Sequence, residues 1–143
     1  MGQSRFPSSS WSGLAAPTLD DIEHLAAEAW NGIPDDFRQL CDDLVIQVAD
    51  FPDDDVCEAM GLESPFDLLG LFEGIGLAHA PETPFTGQRP NVVHLYRRPI
   101  LDYWGESGET LGDLVTHVLI HEIGHHFGLS DDDMEEIEAR ADG

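Results

Sequence analysis

Apolar residues recur at helical spacing from Thr110 to Gly128, at Leu111, Leu114, Val115, Val118, Leu119 and Phe127, and this predicts one long helix. Thr110, followed three residues later by Asp113, suits its N-terminus, and Gly128 suits its stop. A second stripe of Ile22, Leu25, Ala26, Ala29 and Trp30 predicts a helix from about Leu19 to Trp30. Thr18 and Asp21 form a capping box at its start, and Asn31-Gly32 ends it. Pro34-Asp35-Asp36 opens a shorter helix carrying Phe37, Leu40 and Cys41. The run Asp53-Asp54-Asp55 before Val56, Ala59, Met60 and Gly61 reads as the acidic start of another. Ser130 can cap a last helix with Ile137 and Ala139 on its buried side.

Between these lie β-type runs. Leu44–Ala49 (LVIQVA), Leu68–Glu73 (LLGLFE) and Asn91–Arg97 (NVVHLYR) predict three strands. In the third, Val93 and Leu95 are expected to face the core, with Val92, His94 and Tyr96 on the other side. Arg97, Arg98 and Pro99 break that pattern, and Ile100–Trp104 reads as a short helical turn. The glycines and prolines of Gly74–Pro90 mark a long irregular connection, a candidate cleft wall containing His79. Strands mixed with helices and closing on a long helix make the expected fold α+β, with a small mixed sheet of about three strands.

Composition adds bounds. A chain of 143 residues has room for one domain with one core. Met1–Pro17, rich in Ser, Gly and Pro, is expected to be a disordered N-terminal tail, leaving residues 18–143 as the folded domain. The 29 acidic residues face only six basic ones, all arginine, for a net charge of −23. That balance disfavours nucleic acid or an anionic membrane surface as a partner. Cys41 and Cys57 make neither a CxxC pair nor a disulfide framework, and buried free thiols are expected. No basic segment followed by an apolar run opens the chain and no stretch reaches the length of a membrane span, so the expected location is cytoplasmic.

The chemistry sits on the long helix. His121 and His125 are four residues apart, so both imidazoles project from one face, the spacing that two ligands of one small cation need. Glu122 is offset by one residue, beside the metal rather than on it, where it can take a proton from a water that the metal activates. Gly128 allows the chain to turn so that an acid of the next turn can return as a third, oxygen ligand; Asp131 completes HExxHxxGxxD, with Asp132, Asp133 and Glu135 crowding the same turn. Two histidines and a carboxylate leave one position of a zinc tetrahedron open, as catalysis requires. The competing reading of His121 and His125 is a pair of helix histidines with local hydrogen bonds. The intervening Glu122, and Gly128 and Asp131 at their offsets, weigh against it. His117 extends the series backwards, but a further turn away it suits packing or support of a ligand better than ligation. His126 points off this face and His24 reads as a surface residue. Asp53–Asp55 and Asp131–Asp133 lack the alternating ligands, central glycine and terminal glutamate of a calcium loop.

The pattern resembles the zincin metallopeptidases. HEIGHHFGLSDDDM, with LLGLFEG and NVVHLYRRPILDYW upstream, resembles more narrowly the small bacterial zincin-like metallopeptidases sometimes called mini-zincins. The resemblance implies a minimal zincin-like domain, one zinc ion per chain on His121, His125 and Asp131, and hydrolysis of peptide bonds with Glu122 as general base. The implied partner is a peptide or protein substrate, and the surface charge suggests a cationic one. The place where larger zincins keep an oxyanion donor has no clear counterpart, and Tyr96, His94 or an arginine are the stand-ins. Two other classes compete. One is a catalytically idle metal-binding domain that acts as a protein-interaction module. The other is a metal-dependent endoribonuclease with a histidine-rich helix, disfavoured by Glu122 and by the negative charge.

Overall fold

The computed structural model describes residues 12–41, 43–74 and 91–142. The helices are α1 (Leu19–Gly32), α2 (Asp35–Arg38), α3 (Asp54–Met60), α4 (Arg97–Ser107), α5 (Leu111–His126) and α6 (Asp131–Asp142). The strands are β1 (Val45–Ala49), β2 (Gly70–Glu73) and β3 (Val92–Tyr96), and they form one sheet in the order β1-β3-β2. β3 runs parallel to β1 and antiparallel to β2, so the sheet is mixed, with β2 an antiparallel edge. This is the α+β architecture expected from the pattern.

α1, α3, α5 and α6 begin where a side chain satisfies a backbone N–H that has no partner inside the helix, whereas α2 and α4 start without such a cap. Thr18 and Asp21 cap α1 reciprocally, the Thr18 hydroxyl accepting from Asp21 N at 3.1 Å and the Asp21 carboxylate from Thr18 N at 2.8 Å. Asp53 caps α3 by accepting from Val56 N at 2.9 Å, and Thr110 caps α5 by accepting from Asp113 N at 3.1 Å. Gly61, Gly108 and Gly128 close α3, α4 and α5 at φ values of 65°, 76° and 77°, where a side chain would be strained.

One face of the sheet carries the core. Ile46 pairs with Val93 and Val48 with Leu95 across β1 and β3, and Phe72 of β2 pairs with Val93. These residues meet Ile22 and Ala26 of α1 and Leu114, Val115, Val118 and Leu119 of α5 in a single cluster. Burying each Leu, Ile or Val removes enough apolar surface to contribute about 1.5–3 kcal/mol, so this layer, rather than the short strands, fixes where α5 lies. His94 and Tyr96 stack parallel on the opposite face, with ring planes 7° apart.

Three expectations need correction. α4 is not a short turn at Ile100–Trp104 but an eleven-residue helix that begins at Arg97. Pro99 falls in its first turn, where a missing N–H removes no intrahelical bond, so proline opens the helix instead of breaking it. On α6, Ala139 is exposed, and Met134 is fully buried. Cys41 is buried as expected, but Cys57 is only half-buried, with Sγ 3.8 Å from the Pro52 carbonyl.

Most of the candidate cleft wall, including His79, lies outside the described residues, as do residues 1–11 of the N-terminal segment. Within that segment the Pro17 carbonyl accepts from Arg97 Nε at 2.6 Å. None of the helices among the described residues is long and apolar enough to cross a membrane.

Candidate metal centre

α5 carries three imidazoles in a row, His117, His121 and His125, one turn apart. His117 and His121 stack with centroids 3.9 Å apart, and His121 meets His125 edge-on at 5.8 Å. After Gly128 the chain reverses, and α6 returns along α5. Leu129 N donates to Gly124 O at 2.9 Å, which closes that turn. Met134 then slides under Gly124, where a methyl group would lie 2.5 Å from Met134 Sδ, so glycine leaves room for this fully buried side chain.

This reversal brings Asp131 to His125, with Oδ1 3.9 Å from Nε2. Both are open to solvent, the side chains being 61% and 86% exposed. Among the neighbouring acids Asp133 is committed elsewhere. It forms a capping box with Ser130, its carboxylate accepting from Ser130 N at 3.2 Å while Ser130 Oγ accepts from Asp133 N at 3.1 Å. Asp131, at the first position of α6, carries no such duty.

His121 lies deeper. Its Nε2 is buried with no hydrogen-bond partner, and burial, reinforced by the neighbouring His117, pushes its pKa down, against the pull of Glu138. A buried ring nitrogen biased towards its neutral form and lacking a well-formed hydrogen bond is costly for a packing residue and apt for a metal ligand. Two imidazoles and a carboxylate therefore offer a donor set that suits zinc.

Glu122 lies one residue along, on the side of α5 that faces β2. The outer strand passes over it at Gly70, where a methyl group would sit 3.4 Å from Glu122 Cγ and 2.9 Å from Val118 Cγ1. Burial pushes the Glu122 carboxyl above its usual range, with His125 opposing. A half-buried carboxylate of raised basicity next to two candidate ligands is equipped to accept a proton.

One residue near these imidazoles was not legible from motif spacing. Glu138 of α6 reaches His117 Nδ1 at 2.5 Å with one oxygen and His121 Nε2 at 3.5 Å with the other. It lies on the stripe Met134, Ile137, Glu138 and Ala141 that turns towards α5. An acid interrupting an apolar stripe was the available signal. Two further described histidines take bland roles: His24 lies 3.3 Å from Glu28, and His126 packs on Phe72 with centroids 4.3 Å apart. Three of the four stand-ins for an oxyanion donor are engaged elsewhere, and Tyr96 is placed by its ring alone. His94 contacts Glu73 at 2.5 Å on the far face of the sheet, Tyr96 stacks behind it, Arg97 holds Asp50 at 2.9 Å, and Arg98 lies over Phe51 at 5.6 Å.

A helix bearing HExxH, laid beneath the antiparallel edge of a small mixed sheet, defines a minimal zincin-like domain. Residues 41–141 match the family model for zincin-like metallopeptidases, and the chain belongs to that family. The family implies a bound metal, typically zinc. A comparison with curated proteins finds no significant match.

Proposed function

We propose that this chain is a zinc-dependent peptidase in which His121, His125 and Asp131 hold one ion and Glu122 is the general base. The observation that carries this reading is the position of Glu122, next to His121 on α5 yet turned under β2 at Gly70, where burial raises its basicity. When bound, zinc supplies Lewis acidity, polarising the scissile carbonyl and acidifying a water. Glu122 takes the proton of the attacking water and passes it to the leaving amine. Among the described residues β2 pairs only with β3, so its outer edge is available for an extended peptide to add as a strand, with the scissile bond directed towards Glu122. The charge of −23 favours cationic substrates and argues against nucleic acid or an anionic membrane as partner. The same reading takes the folded unit to begin at Thr18 and the protein to work in the cytoplasm.

The engagement of His94, Arg97 and Arg98 elsewhere supports one second reading, a metal-binding domain that is catalytically idle and binds a partner. Hydrolysis of a peptide library rich in cationic sequences, by zinc-loaded parent and Glu122→Gln proteins at matched metal content, decides between them. Loss of the base should cost about 10²–10⁴-fold in rate with the zinc retained. If both proteins are silent, or both equally active, the peptidase reading fails.

A further inference from the structure

We propose that His117, His121 and Glu138 form a second transition-metal position, beside the proposed catalytic one and sharing His121 with it. The sharing of His121 rests on the ligand set proposed above; the position itself does not. Its donors are two imidazole nitrogens and a carboxylate, whose ligating atoms all lie within 4.8 Å of one another. Bond lengths of about 2.0–2.2 Å to zinc put neighbouring ligand atoms about 3.3 Å apart. The two contacts of Glu138, 2.5 Å to His117 Nδ1 and 3.5 Å to His121 Nε2, bracket that separation. Modest side-chain rotation therefore suffices to admit an ion.

Three features separate this cluster from an ordinary exposed ion pair. His121 Nε2 is buried and lacks a hydrogen bond, so one donor of the set is unsatisfied. Glu138 divides its two oxygens between two imidazoles, and its side chain is only 24% exposed. Finally, α6 is fastened on both sides of Glu138, by Met134 under Gly124 and by Arg140, which donates to Asp36 at 3.1 and 3.2 Å. The carboxylate is thus delivered by a fixed helix, as a preorganised ligand must be. His117, 44% exposed on its side chain, leaves a path for the ion to enter.

Imidazole with a single carboxylate favours zinc, cobalt, nickel or copper over calcium or magnesium, which prefer oxygen alone. Because His121 offers one Nε2, an ion at this position excludes one at His121, His125 and Asp131. Both places lie within about 2.1 Å of that one nitrogen, so they are at most about 4.2 Å apart. The chain then holds one ion in either place, and an ion held by His117 and Glu138 is withdrawn from Asp131. This makes the earlier position a resting place for the metal, from which Glu138 must release it before hydrolysis.

Cobalt(II) tests this, since its visible absorption reports coordination by imidazole without any assay of activity. The protein in which both His125 and Asp131 are alanine keeps only the proposed second position. It should still bind one cobalt per chain, more weakly than the parent, with a visible band. Adding Glu138→Gln should abolish the band, and His117→Ala in place of Glu138→Gln should do the same. Circular dichroism on each variant confirms that it is folded. No cobalt band in the His125 and Asp131 double variant, or a band that survives both additions, overturns the proposal, as does binding of two cobalt ions by the parent. If Glu138→Gln alone strips the parent of metal, the ligand set of the proposed function fails while the second position stands.

Discussion

Gly70 of β2 lies against Glu122 of α5 so closely that a methyl group on the glycine would sit 3.4 Å from Glu122 Cγ, 2.9 Å from Val118 Cγ1 and 3.0 Å from the His94 carbonyl oxygen. The edge strand and the helix that bears the candidate base thus meet at a point with no room for a side chain. Two effects of Gly70→Ala compete. Alanine restricts the unfolded chain and favours a strand by about 0.4–1 kcal/mol where it fits. Here it meets a branched core side chain and a backbone oxygen, neither of which can yield cheaply, and overpacking of this kind costs about 1–3 kcal/mol. The clash wins. Gly70→Ala should lower the urea midpoint at unchanged slope and displace β2 from Glu122, with peptidase activity falling further than stability explains. An unchanged midpoint would show that β2 is not seated on α5.

The spacing along α5 was legible because helical periodicity, a Thr110 cap and a glycine stop agree over sixteen residues. The sheet was legible from alternation in β3, where Val93 and Leu95 turn inwards as the pattern requires. What escaped is instructive in each case. The length of α4 was hidden because proline reads as a breaker, although in a first turn it has no bond to break. The burial of Met134 and the approach of Glu138 to His117 depend on how α6 folds back after Gly128, a tertiary relation that no local pattern encodes. Hydrophobic spacing told that α6 exists; it did not tell which of its faces meets α5.

Tyr96 supplies a pH-dependent test of the sheet's second face. It is buried, and burial, with Asp53, Glu73, Cys57 and Glu122 adding repulsion, pushes its phenol up to about 12. In the unfolded chain a tyrosine titrates near about 10. Between those values the unfolded state loses the proton and the folded state keeps it, so stability falls as pH rises through that window. Below about pH 10 both states are protonated and the effect vanishes. Denaturant melts of the parent should therefore lose stability from about pH 10 upwards. Tyr96→Phe should lack that component, and its ultraviolet titration should lose the late-ionising step. Parallel pH profiles for the two proteins would show that Tyr96 is more accessible than its burial implies.

Asp131 and Asp133 are two residues apart in the same acidic turn, yet their surroundings assign them different work. Asp133 is tied to Ser130 N at 3.2 Å and Asp131 faces His125 at 3.9 Å. Removing the cap by Ser130→Ala should cost the metal-free protein about 0.5–2 kcal/mol, since the N–H of Asp133 loses its acceptor. Its zinc affinity should hardly change once the folded fraction is allowed for. Asp131→Ala should do the reverse. The side chain is exposed and caps nothing, so metal-free stability should stay within about 0.5 kcal/mol of the parent. Zinc affinity should fall by at least about tenfold, the lower end of what even supporting residues around a metal contribute. Calorimetric titration with zinc and thermal melts in chelator, run on both variants, separate the two roles. If Asp131→Ala binds zinc as tightly as the parent while Asp133→Ala does not, the third ligand is Asp133, and the capping box must open when the metal binds.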